Sequence, residues 1–112
     1  MTRMANFSRN DVVSVRYPFS DLSRAKVRPV VVVSTRHASS DLFVVPLTSK
    51  LTPLLAGEFV VADHMAAGLR MPSAVKRGIG TLESSLMIKR LGQLAPSDAQ
   101  QLNDSLRLWL GR

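Results

Sequence analysis

A chain of 112 residues and 12.3 kDa has room for one domain and one core, and with 46% hydrophobic and 21% charged residues it offsets its own ordering entropy, which excludes disorder and a second domain. It contains no Cys, so disulfides, iron–sulfur clusters, thiolate zinc sites and cysteine nucleophiles are excluded together, and a cytoplasmic setting is the simplest expectation. Fifteen Lys and Arg against eight Asp and Glu give a net charge of +7, which favours a polyanionic partner: nucleic acid, an acidic protein segment or an anionic surface.

In chain order, residues 1–9 read as a flexible, basic N-terminal tail, in which Arg3, Asn6 and Arg9 leave no apolar run for a secretory leader. Val12 to Phe19 alternates, with Val13, Val15 and Tyr17 on one side and Ser14 and Arg16 on the other, the period of a half-buried strand. Pro18 ends its ladder, and Ser20 to Lys26 is a polar, basic loop. Val30 to Val33 follows Arg28-Pro29 as four β-branched residues in a row, a strand covered on both faces; in so small a domain this implies a closed barrel or a dimer interface.

Leu42 to Leu47 is a third strand, Glu58 to Ala62 a short fourth, with a helical turn at His64 to Ala67 and further short strands at Ser73 to Lys76 and Gly80 to Leu82. At the end, Ala99, Leu102, Leu106, Trp109 and Leu110 recur at helical spacing, with Pro96 suited to the first helical position and Gly111 to the stop. The pattern predicts a mainly β, α+β domain: a small, strongly bent antiparallel sheet or partial barrel with a C-terminal helix. The dispersed Met residues read as core filler. No run of eighteen apolar residues suits a membrane span.

Several ordered segments carry a resemblance. Asn10-Asp11-Val12-Val13, Tyr17-Pro18-Phe19-Ser20-Asp21-Leu22-Ser23, Lys26-Val27-Arg28-Pro29 with the valines behind it, Pro46-Leu47-Thr48-Ser49, Pro72-Ser73-Ala74-Val75-Lys76 and Ile88 to Leu94 together resemble the MazF/PemK family of toxins, over nearly the whole chain. The resemblance implies one compact SH3-like barrel of the MazF/CcdB type with a C-terminal helix. It implies a homodimer that cuts single-stranded RNA without a metal or other cofactor, and a cognate antitoxin whose acidic, flexible tail blocks it. Where the family often has an acidic residue after the lysine, this chain has Arg77-Gly78, and no His stands in the first loop.

Metal-independent cleavage of RNA uses the neighbouring 2′-OH as nucleophile. The protein must then assist proton removal, neutralise phosphoryl charge and protonate the departing 5′-oxygen, giving 2′,3′-cyclic phosphate and 5′-OH ends. Arg28 matches the family's active-site arginine, and its planar fork suits two phosphate oxygens. Thr48 matches the hydroxyl position of the second motif, with Ser49 a weaker candidate. Lys76 is a further candidate for catalysis or phosphate binding, and Arg24, Lys26, Phe19 and Arg77 for RNA contact, Phe19 by stacking. His37 and His64 stand outside these motifs, and no set of residues has metal-ligand spacing.

Two other readings share the fold. The related CcdB group poisons DNA gyrase by binding, through a C-terminal helix ending in Trp and Gly, and Trp109 and Gly111 are superficially similar. Trp109 nevertheless shares a helical stripe with Leu102 and Leu106, which core packing explains. The other is a non-catalytic RNA-binding module.

Overall fold

The computed structural model describes residues 7–18, 25–35 and 41–112. Among these residues seven strands, a single-turn 3-10 helix (Ser84–Leu86) and one α-helix follow in order: β1 (Asp11–Pro18), β2 (Ala25–Val32), β3 (Asp41–Thr48), β4 (Phe59–Val60), β5 (Ala74–Val75), β6 (Gly80–Glu83), β7 (Met87–Gln93) and α1 (Pro96–Leu110). All pairings are antiparallel, in the order β4-β5-β3-β2-β1-β7, with β6 also on β3. The barrel is open: β4 and β7 end the sheet, and the turn after β4 reaches over to β7, where Gln93 N–H donates to Ala66 O at 3.3 Å. The backbones approach so closely there that a Cβ on Gly92 would lie 2.5 Å from Ala67 C, and one on Gly68 would strike Leu91 O.

The valine run of β2 is covered on both faces, and by this chain alone. Val31 packs with Val12, Val45, Leu47, Leu102 and Leu106 under the helix. Val30 and Val32 pack with Val13, Val15, Leu42, Val44 and Leu82 on the other side, where β6 folds back on β3. The dimer interface offered as one way to cover the run is therefore not needed for it. Each of these buried aliphatic side chains contributes up to about 1.5–3 kcal/mol.

The helix begins where expected, with Pro96 at its first turn and Ala95 making no side-chain cap. It is tied instead by Asp98, whose buried carboxylate accepts Ala62 N–H (2.8 Å) and Asp63 N–H (3.0 Å), and by Ser105, whose hydroxyl donates to Gly57 O (2.6 Å). Trp109 packs against the helix-side core and its Nε1–H donates to Ala56 O at 2.8 Å, so packing is the role of its ring. Gly111, left-handed at φ 74°, closes the helix.

Several expectations need correction. Phe7 and Ser8, expected within a flexible tail over residues 1–9, are held in place: Phe7 is buried in the second core and Ser8 N–H donates to the buried Asp11 carboxylate at 2.7 Å. Strand β2 starts at Ala25, well before Val30. Ser14 is buried, its hydroxyl 3.4 Å from the Lys89 O of the neighbouring strand β7, so the expected solvent side of β1 is partly covered. Strand β7 itself was not foreseen. Met65 and Met71 are exposed and fill no core.

Candidate active site

Arg28 and Thr48 stand at corresponding positions just beyond the end of the β2–β3 ladder. The ladder pairs Val32 with Val44, Val31 with Val45 and Val30 with Pro46, and stops. Two residues further along each strand stand Arg28 and Thr48, at matching positions and, by alternation, on one face with Val30 and Pro46. From there each strand runs on with a different neighbour: Arg28 lies opposite Val15 of β1, Thr48 opposite Ala74 of β5.

Two prolines account for the parting. Val33 N–H donates to Phe43 O at 2.9 Å, so by alternation Val31 and Pro29 also turn their backbone polar groups toward β3. Pro29 has no N–H to give to Leu47, and the ladder ends there. On the other edge of β3, Pro46 lacks a donor where β6 stops and β5 starts; only its carbonyl is used, accepting Lys76 N–H at 3.0 Å. The result is a mouth between strand ends, firm on its outer sides and unzipped within.

Thr48 Oγ1 accepts Lys50 N–H at 3.1 Å, a local turn that orients the hydroxyl and leaves its proton to donate. Arg28 is exposed. Ser49, next to Thr48, is exposed in the bend that follows β3.

Lys76 is not a free cation. Its ammonium lies 2.7 Å from Glu58 Oε1 and donates to Pro53 O at 3.0 Å. Glu58 also accepts Leu55 N–H (2.8 Å) and, through Oε2, Arg77 N–H (2.9 Å), so one carboxylate joins the loop after Thr48 to the turn after β5. Its side chain is 3% exposed, and the Arg77 amide, then Lys76, hold its pKa down at about 2 against an ordinary 4.5. Arg77 contributes this amide while its side chain is exposed. Sequence reasoning sought an acid beside Lys76 in the chain and missed Glu58, eighteen positions earlier. Phe19, Arg24 and His37, and the side chain of Lys26, lie outside the described residues. His64 is in the turn after β4, away from β3 in the pairing order, with its carbonyl accepting Leu69 N–H. Among the described residues, no group of three or more His, Asp or Glu is placed to hold a metal ion.

Residues 8–110 match the family of PemK-like, MazF-like toxins of type II toxin-antitoxin systems. The chain belongs to this family. Solved structures agree in fold. An endoribonuclease from a Mycobacterial species in complex with its cognate antitoxin superposes with a TM-score of 0.71 at 19% identity, covering 92% of this chain and 93% of that one. MazF from Deinococcus radiodurans gives 0.76 at 17% identity (96% and 99% covered), and a MazE–MazF complex from the same organism gives 0.77 at 15% identity (96% and 98% covered). None of the curated proteins matches the chain. Family membership sets the gyrase-poison reading aside, as does the packed Trp109. Among the described residues no helix is long and apolar enough to cross a membrane.

Proposed function

We propose that this family member is a cytoplasmic toxin that cleaves single-stranded RNA, with Arg28 and Thr48 as the catalytic pair. The observation that carries the reading is the matching placement of these two motif residues on one face, where β2 and β3 part. A phosphate seated in the mouth meets the Arg28 guanidinium, always cationic and able to bind two oxygens at once, and the Thr48 hydroxyl. The 2′-oxygen attacks phosphorus, the bond to the 5′-oxygen breaks, and the proton given up by the 2′-OH is balanced by one taken up at the 5′-oxygen. Arg28 stabilises the charge that gathers on the phosphoryl oxygens as this happens.

Glu58 does not serve as the base on this reading. It is held ionised with both oxygens engaged, and at a pKa of about 2 it is a poor proton acceptor. Its work is to fix the loop behind Thr48 and to neutralise Lys76, which positions rather than contacts the substrate. Relatives crystallised with antitoxins support a partner of the same kind here, an antitoxin whose acidic segment complements the +7 chain. A homodimer is part of the same proposal.

The test is to incubate purified protein with end-labelled single-stranded RNA in EDTA. Cleavage should persist and leave 2′,3′-cyclic phosphate and 5′-OH ends. Products with 3′-OH and 5′-phosphate, or activity that needs added Mg²⁺, would overturn the mechanism; no cleavage with tight RNA binding would favour the non-catalytic module.

A further inference from the structure

Beside the mouth lies an open cleft of about 770 Å³, between β2, β1 and β7 on one side and the segment 68–70 on the other. Its rim carries Arg28, Arg70, Lys89 and Arg90, and among the described residues none that is acidic lines it. Its floor and walls are aliphatic, including Val27, Leu69, Ile88 and Leu91. Val27 is 57% and Ile88 47% exposed, a large apolar display for a small chain. Arg90 is paired with the buried Asp11, its Nε 3.1 Å from Oδ2, and Arg70 and Lys89 are two further cations on the rim.

We infer that this cleft is a second RNA subsite, in which Arg70 and Lys89 hold the backbone of the strand that leaves Arg28 and the aliphatic floor receives a base. The inference rests on the proposal that Arg28 binds the scissile phosphate. Arg28 stands at the unzipped edge of β2, facing the mouth by alternation and also lining the cleft, so a strand bound at Arg28 passes over that edge into the cleft. Lys89 lies opposite Ser14, which lies opposite Pro29, so it stands two strands from Arg28's own neighbour. That is about 10 Å from β2 to β7, a separation that sets the two cations under different phosphates. Alternating anions and flat apolar bases match a cationic rim over an apolar floor. About a two-fold axis the same cations would face one another across the cleft, so its rim suits an anionic strand and not the second copy of the proposed homodimer.

The experiment measures affinity for a mixed-sequence 2′-O-methyl oligoribonucleotide, which lacks the nucleophile and is not consumed, across a salt series. Wild type is compared with Arg70→Ala, Lys89→Ala, the double variant and Arg112→Ala at the far end of α1. Each of the first two should weaken binding several-fold at low salt and flatten the slope of log affinity against log salt by about 0.7, the double by about twice that. On cleavable RNA the loss should fall on KM with kcat largely kept. Arg112→Ala should bind as wild type. Unchanged slopes in the double variant, or a loss equalled by Arg112→Ala, would overturn the subsite. So would normal RNA binding by a double variant that has lost its antitoxin, since the cleft would then serve the protein partner. If Arg28→Ala cuts normally, the active-site reading fails instead, whatever the salt slopes show.

Discussion

Replacing Glu58 by Gln tests the clamp behind Thr48. The carboxylate makes two backbone hydrogen bonds and one ion pair within a site that leaves its side chain 3% exposed. A pKa of about 2 against 4.5 corresponds to about 3 kcal/mol of stability at neutral pH, by the usual conversion of pKa shift to free energy. Gln keeps one carbonyl acceptor, so the expected loss is smaller, about 2 kcal/mol, and the melting temperature of a 112-residue domain should fall by about 10 °C. Because the folded pKa is depressed, the contribution of Glu58 is complete above about pH 4.5 and is lost as pH falls toward 2. Urea unfolding of both proteins from pH 7 down to pH 2.5 isolates it, because the other carboxylates cancel in the difference. A variant as stable as wild type at pH 7, or a difference that does not shrink below pH 4.5, would refute the reasoning.

Arg28→Ala and Thr48→Ala should each keep the fold and lower the cleavage rate by about 100-fold or more, the usual loss of a transition-state charge stabiliser; wild-type rates in both would dismiss the pair. Arg28→Lys should also be poor, because a point charge lacks the fork. Pro29→Ala restores an N–H facing Leu47 and should extend the β2–β3 ladder across the mouth, slowing cleavage while unfolding measured in urea shows no loss of stability. Light scattering at micromolar concentration should give twice 12.3 kDa; a monomer there would sink the proposed dimer.

The parts of the fold that could be read from the sequence are those where burial has a period. Val12 to Tyr17, the valine run, Leu42 to Leu47 and the stripe of α1 each bury residues at the spacing of their element. Strand β7 is the opposite case. Its burial along Met87–Gln93 never reaches a fully buried side chain, and its pairing with β1 shifts register between Val12 and Val13 and again between Ser14 and Val15. Each shift exchanges the faces, so no alternation survives for the eye to follow. Ser14 shares its face of β1 with Val12 of the helix-side core, which is why the expected outer side of the strand is partly covered.

For the proposed site, the sequence motifs pick out residue types but not their partners. Arg28 and Thr48 stand out because of the motifs around them, but a lysine's neighbour in the chain says little about its neighbour in space. Lys76 is neutralised by Glu58, the residue just before β4, reached through a loop that no spacing rule describes. The prolines are the intermediate case. Pro29 and Pro46 are plain in the sequence, and a proline within a strand implies an edge or a break. Only the register shows that the two breaks flank the same strand, one on each side of β3. Pro29 ends its pairing with β2, and Pro46 marks the change from β6 to β5. Strand pairing fixes the backbone of Arg28 on one side and of Thr48 on the other, and the missing donors keep the space between them open. A phosphate site of the proposed form needs rigidity in its walls and a gap in its hydrogen bonding; strand pairing supplies the first, and two imino acids placed in otherwise regular strands supply the second.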